Sequence, residues 1–151
     1  MVCSKIDEKK RYQKKISGPL LDRIDLHVPV LNLSEDELLS APTGESSAII
    51  RQRVIAARQI QHARFSQLPY PMHCNAQMGP RELNLFCPIA SDSSSLLRQA
   101  INKFHLSPRA HDRILKVART IADLAGSNSI TAEHLLEAIT YRTIDREEWA
   151  L

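Results

Sequence analysis

The chain has 151 residues, enough for one domain or two small lobes, and its hydrophobic content of 43% permits a buried core. Its net charge of +3 is too small to indicate nucleic-acid binding by itself, and three cysteines without a CxxC spacing argue against a disulfide framework. The sequence contains no apolar run of membrane-spanning length and no signal-peptide pattern, so we expect a cytoplasmic protein without a membrane partner.

The first elements in chain order are a charged run and a turn. Residues 5–15 are rich in charged side chains, which is more typical of a solvated face than of a phosphate-binding arm. Gly18 and Pro19 then favour a turn followed by the start of a helix, because the φ angle of proline is already helical. We expect Leu20, Leu21 and Ile24 to face a core from this short helical turn.

The run of residues 25–30 alternates in polarity like a half-buried β-strand, and Pro29 indicates that the strand lies at an edge or ends there. The rest of the sequence predicts no partner strand for it. A lone strand at this position is typical of the last part of a sheet. We therefore expect the chain to begin inside a larger α/β domain.

Helical patterns account for most of the remaining sequence. Ser34 and Glu37 fit a capping box at the start of a short helix. Ser107 and Pro108 mark the start of the most strongly amphipathic helix, and Gly126 marks its end. The predicted helices span residues 34–39, 46–66, 80–86, 91–104, 108–125 and 131–142.

The spacing of apolar residues predicts which side of each long helix is buried. The predicted buried residues are Ile49, Val54, Ala57, Ile60 and Ala63 or Arg64 in 46–66; Ala110, Ile114, Val117, Ala118, Ile121, Ala122 and Ala125 in 108–125; and Leu135, Leu136, Ala138 and Ile139 in 131–142. The polar sides carry Arg51, Arg53, Arg58 and Arg64 in the first of these helices, and Arg109, Asp112, Arg113, Lys116 and Arg119 in the second. A solvated face explains the first arginine set better than a nucleic-acid surface does.

The sequence offers little support for a metal site or a nucleotide loop. His73 and Cys74 are adjacent, but no second ligand pair follows at zinc-finger spacing, so we expect no metal there. Cys87 is best explained as a small buried residue. The sequence contains neither a GxGxxG motif nor a Walker A loop, so it lacks the usual cradle for nucleotide phosphates.

Several segments together resemble the magnesium-chelatase-like AAA+ ATPases of the ComM/YifB family. These segments are SGPLLDRIDLHV, GESSAIIRQRVIAAR, NAQMGPRELNLFCP, LSPRAHDRILKVARTIADLAGSNSI and TAEHLLEAITYR. They occur in the family's order and cover nearly the whole chain. The resemblance implies a mainly α fold, a helical lid bundle preceded by a short helix and one strand that remain from an α/β nucleotide-binding core.

The resemblance also implies a division of the chain and a set of site residues. Residues 1–33 would be the end of the core, 34–45 a linker, 46–145 the lid and 146–151 a tail. Arg23 matches the arginine finger of the family, with Asp22 beside it to orient it. Arg109 matches sensor 2, the lid arginine that contacts the γ-phosphate, and Arg113 lies one turn further on. From the residues alone, an ion pair of Arg23 with Asp22 or Asp25 and a surface position for Arg109 are the better explanations, and only the resemblance favours the functional roles.

The implied activity belongs to a larger protein. It would bind ATP and Mg²⁺, assemble into a ring, a hexamer in the family's pattern, and act in DNA processing during natural transformation, with DNA as a partner. Metal insertion into a porphyrin, as in magnesium chelatase, and a stand-alone helical module that binds nucleic acid or protein are the alternatives. We expect this chain by itself to bind no cofactor tightly and to be inactive. Cys3 would be the last of an upstream cysteine group, without metal here.

Overall fold

The structure is a computed structural model that describes residues 20, 23–30, 32–40 and 44–149. Its helices are α1 (Glu35–Leu39), α2 (Ser47–Phe65), α3 (Pro80–Phe86), α4 (Ser91–Phe104), α5 (Pro108–Leu124) and α6 (Ala132–Trp149), and Asn75–Gln77 form a 3₁₀ turn. The predicted mainly helical class is confirmed. In the described ranges the β-pairing is limited to an isolated parallel bridge between Ile89 and Ile130. None of the helices in these ranges is both long and apolar enough to cross a membrane.

Helix α5 is central to the bundle, and its ends follow from local sequence. The Ser107 hydroxyl accepts a hydrogen bond from the backbone N–H of Ala110 at 3.2 Å, and Pro108 occupies the first turn. Gly126 ends the helix with a φ of +66°, in the left-handed region where a side chain would be strained. Thr131 then caps α6 by accepting from the N–H of His134 at 3.5 Å.

The core lies between α5 and the helices around it. Helix α5 packs mainly against α6 and α2, and α4 packs against α6. The rings of Phe65 and Phe86 meet edge to face at 5.6 Å. The buried apolar residues are Phe65, Met78, Leu83, Cys87, Leu97, Ala100, Leu106, Ala110, Ile114, Leu115, Ala118, Ala122, Ile130, Leu135, Ala138 and Ile139. Each fully buried aliphatic side chain of this kind stabilises the fold by roughly 1.5–3 kcal/mol.

A buried polar network joins three elements at Asp123. Its carboxylate, which is fully buried, accepts hydrogen bonds from the Arg64 guanidinium of α2 at 2.8 Å, from the Asn75 side chain at 2.8 Å and from Arg119 Nε at 3.0 Å. Arg119 also donates to the carbonyls of Asn128 and Ser127 at 3.0 and 2.6 Å. A buried carboxylate is stable only with such partners, so this network fixes how α2, the 3₁₀ turn and α5 meet.

Burial and charge act in opposite directions on the titration of Asp123. Burial raises the pKa of this carboxyl, but the hydrogen bonds from Arg64 and Asn75 and the positive charges of Arg64 and Arg119 outweigh burial, so the pKa lies below its ordinary value of 3.8. Cys87 lies in the same core, and its burial raises the thiol pKa to about 11. The prediction of a small buried residue at Cys87 is confirmed, and the thiol is protonated at neutral pH.

The structure corrects part of the predicted helix faces. Ile49, Val54 and Ile60 were predicted to be buried, but their side chains are exposed along α2, whose buried residues are Ala57, Gln61 and Phe65. Residues 47–56 are all exposed, so no element among the described residues covers the first half of α2, and Ile60 in its second half is 36% exposed. Leu136 is likewise exposed on α6.

The polar faces need the opposite correction. Arg119 was predicted on the polar side of its helix, and Arg64 was assigned both to the polar side and, as an alternative to Ala63, to the buried side. Both bind Asp123 inside the bundle. The energetic reason is that each guanidinium is neutralised and hydrogen-bonded there, which offsets its loss of water. Arg53 forms an exposed ion pair with Glu45 at 2.9 Å. Arg58 donates a hydrogen bond to the side chain of Gln61 at 3.2 Å. The α2 arginines are therefore not a continuous free cationic stripe.

The predicted strand over residues 25–30 is not formed. Residues 23–30 are irregular, because no neighbouring strand in the described ranges offers them a ladder of hydrogen bonds. Of the helical turn predicted before them, the structure describes one hydrogen bond, from the N–H of Arg23 to the carbonyl of Leu20 at 2.9 Å. Cys3, residues 5–15 and Asp22 lie outside the described residues.

Removal of the buried carboxylate is expected to destabilise the bundle strongly. The Asp123→Ala variant leaves Arg64 and Arg119 buried without their counter-charge, and we expect a loss of about 3–5 kcal/mol in the free energy of unfolding. Urea denaturation followed by circular dichroism measures it. Glu45→Ala is the control, since it breaks an exposed ion pair and has little effect. Equal effects of both variants would contradict this account of the network.

The same carboxyl predicts an acid-sensitive contribution to stability. Because its pKa is lower in the folded than in the unfolded protein, the contribution is fully present above the ordinary value of 3.8 and is lost as the pH falls through the folded-state pKa. The stability difference between the wild type and Asp123→Asn should therefore shrink as the pH is lowered below 3.8. Urea midpoints of both proteins across this range test it, and a constant difference would be inconsistent with the shifted pKa.

Candidate functional site

A basic cleft of about 240 Å³ lies on one face of α5. Its walls include Arg109, Asp112, Arg113 and Lys116. These residues are three, four and seven positions apart, which places their side chains on one side of a helix. The predicted polar side of α5 is therefore confirmed for these four residues, and in the structure it lines a concave surface.

The far wall of the cleft is the 3₁₀ turn. The ammonium group of Lys116 donates to the carbonyl of Ala76 at 3.0 Å. The turn is held against α5 by the Asn75 side chain, which donates to the hydroxyl of Thr120 at 3.0 Å and to Asp123. The buried network described above thus also fixes the width of the cleft.

The third wall comes from the irregular residues 23–30, the N-terminal segment. The carboxylate of Asp25 forms an ion pair with Nη1 of Arg113, which lies 88 positions later in the sequence. The second acid of the cleft, Asp112, lies 3.0 Å from Nδ1 of His111. With three cationic and two acidic side chains, the cleft has a formal excess of one positive charge.

Helix α6 holds this segment in place from the other side. A guanidinium N–H of Arg142, a residue only 3% exposed, donates to the backbone carbonyl of Ile24. The N–H of His27 donates to the carbonyl of Tyr141 at 2.8 Å. The backbone on both sides of Asp25 is therefore attached to α6, while the Asp25 side chain is attached to α5.

The site residues predicted from the sequence are brought together only in part. Arg109 and Arg113 both line the cleft. Arg23 is exposed, is not among the residues that line the cleft, and lies two positions before Asp25. The alternative in which Arg23 pairs with Asp25 is not what the structure contains, because the ion pair of Asp25 is with Arg113. Asp22 lies outside the described residues.

The chemistry of the cleft suits an anion. Guanidinium groups donate in a fixed fork that matches carboxylate or phosphate oxygens, and a lysine adds a mobile point charge. Arg109 is also in the first turn of α5, where the helix dipole favours negative charge. No three His, Cys, Asp or Glu side chains converge as a metal site in the portion of the chain that the structure covers.

A second cleft, of about 380 Å³, is larger but of different character. It lies between the end of α2 and the loop that follows, with His62, Phe65, Tyr70 and Met72 among its lining residues. None of the described residues that line it is an arginine or a lysine. It therefore offers no guanidinium or ammonium group to an anion.

Sequence reasoning missed four members of the cleft: Asp25, Ala76, Asp112 and Lys116. Lys116 had a usable signal, because it continues the Arg109 and Arg113 spacing by one further turn. Asp25 and Ala76 had none, because both are far from α5 in the sequence and only the tertiary fold brings them near it.

Comparison with known proteins gives matches over most of the chain. Residues 44–142 match the family described as "Magnesium chelatase, subunit ChlI C-terminal", and residues 1–38 match "Magnesium chelatase, subunit ChlI". The chain is 44% identical over 138 residues to the uncharacterized protein YifB of Escherichia coli K12. It is 40% identical over 137 residues to the competence protein ComM of Haemophilus influenzae. An uncharacterized protein of Mycobacterium tuberculosis is 40% identical over 135 residues.

These relatives are much longer than the chain. The alignments cover 90% of the chain for YifB and ComM and 89% for the mycobacterial protein, but only 26% of each relative. The chain thus spans about a quarter of the length of the curated relatives that it matches. The matched region includes the cleft residues of α5.

The attachment of the N-terminal segment to α6 can be tested directly. We expect Arg142→Ala to speed hydrogen exchange of the His27 amide, because the variant removes the donor to the Ile24 carbonyl, three residues earlier in the same segment. Exchange followed by nuclear magnetic resonance measures the rate. Arg98→Ala, at an exposed position of α4, is the matched control and should leave the rate unchanged. An unchanged rate in Arg142→Ala would show that this contact does not hold the segment.

Proposed function

The chain belongs to the magnesium chelatase ChlI family, and from this premise we propose that it is the C-terminal part of a ring-forming AAA+ ATPase. The observation that carries the proposal is the convergence of Arg109, Arg113 and Lys116 on one cleft, with the segment of Arg23 fixed beside it. In this proposal residues 1–33 end the nucleotide-binding core, 34–45 link it to the lid, 46–145 form the lid and 146–151 form a tail.

Within one subunit, the cleft binds the terminal phosphate of ATP. Arg109 acts as sensor 2, and Arg113 and Lys116 add donors on the same helix face. Each charge-assisted hydrogen bond to phosphate contributes roughly 1.5–3 kcal/mol. Loss of the γ-phosphate after hydrolysis removes part of this attraction, and the position of the lid then differs between the ATP and ADP states.

Between subunits, Arg23 acts as the arginine finger. Its exposure supports this role, because a guanidinium that serves a neighbour's ATP must not be consumed by contacts in its own subunit. Phosphoryl transfer spreads negative charge over the equatorial oxygens, and an inserted guanidinium stabilises that charge without giving up a proton. Asp22 orients Arg23 in this proposal. The parent protein supplies the Walker motifs and holds Mg²⁺ with ATP, and the chain alone does not hydrolyse ATP.

Two uses of the ATPase remain as candidates for the parent protein. The relative from Haemophilus influenzae is named a competence protein, which supports DNA processing during natural transformation. The family name supports the alternative of ATP-driven metal insertion into a porphyrin. DNA binding by the full-length ring that weakens steeply with salt would favour the first use, and its absence would favour the second.

The trans action of Arg23 is tested in the full-length protein. We expect Arg23→Ala to lower ATP turnover by about 10³-fold or more, because the transition-state charge loses its stabilising guanidinium. A variant that lacks the Walker A lysine is also inactive, but mixed rings of the two variants should regain turnover, since each supplies the part that the other lacks. Steady-state phosphate release measures both.

Arg98→Ala serves as the matched arginine control and should retain normal turnover. Normal turnover of Arg23→Ala in an intact ring would contradict the finger assignment. Failure of the mixed rings to recover activity would restrict Arg23 to its own subunit.

A further inference from the structure

Asp25 occupies the place of an anion in the basic cleft. Its carboxylate is paired with Arg113, and its side chain is 47% exposed while that of Arg113 is 26% exposed. A carboxylate and a phosphate present the same kind of oxygen acceptors to a guanidinium. Nη1 of Arg113 therefore meets an internal ligand in this structure, and an incoming phosphate must compete with it.

The backbone that carries Asp25 is attached to two helices. Ile24 and His27, on either side of it, are bound to Arg142 and Tyr141 of α6. The ion pair with Arg113 is a third attachment of the same segment, and it is the one that leads to α5. Arg23 lies directly before this attached stretch.

We propose that Asp25 is an internal competitor for the phosphate of a nucleotide in this cleft, and that its displacement repositions Arg23. The proposal rests on the proposed function, because it presupposes that the cleft receives a phosphate group. Phosphate binding to Arg113 and pairing of Asp25 with Arg113 oppose each other, and the coupling is reciprocal. Asp25 is thus a positioning residue: it links the binding of phosphate in the cleft to the position of Arg23, the proposed arginine finger.

The test uses inorganic pyrophosphate as the probe and isothermal titration calorimetry on the 151-residue chain. We expect Asp25→Asn to bind pyrophosphate roughly 5-fold or more tightly than the wild type, since the competing carboxylate charge is gone. Asp25→Glu keeps the charge and should bind like the wild type. Asp36→Asn removes the same charge at an exposed position of α1 and controls for the change in net charge.

A second readout follows the segment itself. In the wild type, saturating pyrophosphate should speed hydrogen exchange of the His27 amide, because the segment loses its attachment to α5. In Asp25→Asn the exchange should already be faster and should respond little to pyrophosphate. A role of Asp25 in stability alone would change neither the affinity for the probe nor this response.

The outcomes separate this proposal from the one on which it rests. If Arg113→Ala weakens pyrophosphate binding but Asp25→Asn binds no more tightly than Asp36→Asn, competition by Asp25 is refuted while the cleft remains an anion site. If neither the wild type nor Asp25→Asn binds pyrophosphate, or if Arg113→Ala leaves binding unchanged, the cleft is not the anion site and both proposals fail.

Discussion

The arrangement of this protein depends on one buried carboxylate. Asp123 is enclosed by Arg64, Asn75 and Arg119, which come from α2, from the 3₁₀ turn and from α5 itself. An isolated charge in that position would be very unfavourable, so the three elements must meet in the one geometry that satisfies it. The apolar core around it favours compactness, but aliphatic contacts tolerate many arrangements and the polar network tolerates few.

The buried network also fixes the cleft at the surface, through Asn75. This residue bonds both Asp123 and Thr120, and the turn that it anchors carries the Ala76 carbonyl that binds Lys116. The buried network and the cleft on α5 are therefore connected through the 3₁₀ turn. A rigid inner face of the helix holds a cationic outer face in a fixed shape, which is what recognition of a phosphate requires.

Much of the fold follows from sequence because its signals are local. Ser107, Pro108 and Gly126 bound α5 as expected, and the spacing of Ala110, Ile114 and Ala118 identifies its buried side. The errors arise where tertiary partners override local pattern. Ile49 and Val54 have the period of a buried face but no covering element in the described part of the chain.

Arginines were the other source of error, because a charged side chain gives no local sign of a buried counter-charge. Arg64 pairs with the buried Asp123 across 59 positions. Arg113 lies on its predicted polar side, but its partner there, the half-exposed Asp25, is 88 positions away and was not predicted. The candidate site was accessible through a family resemblance at Arg109 and Arg113. Asp25 and the Ala76 carbonyl depended on the tertiary fold. The predicted strand failed for the same reason, since pairing partners rather than alternation decide whether a strand forms.

The central claim is that the outer face of α5 is where this protein binds phosphate. Nuclear magnetic resonance of the arginine side-chain N–H groups during titration with pyrophosphate tests it most directly, because each arginine reports its own environment. The account predicts saturable shifts at Arg109 and Arg113 with little change at Arg51 and Arg58 of α2. Shifts concentrated on the α2 arginines, with those of α5 unmoved, would contradict it and would favour a separate nucleic-acid-binding helix instead.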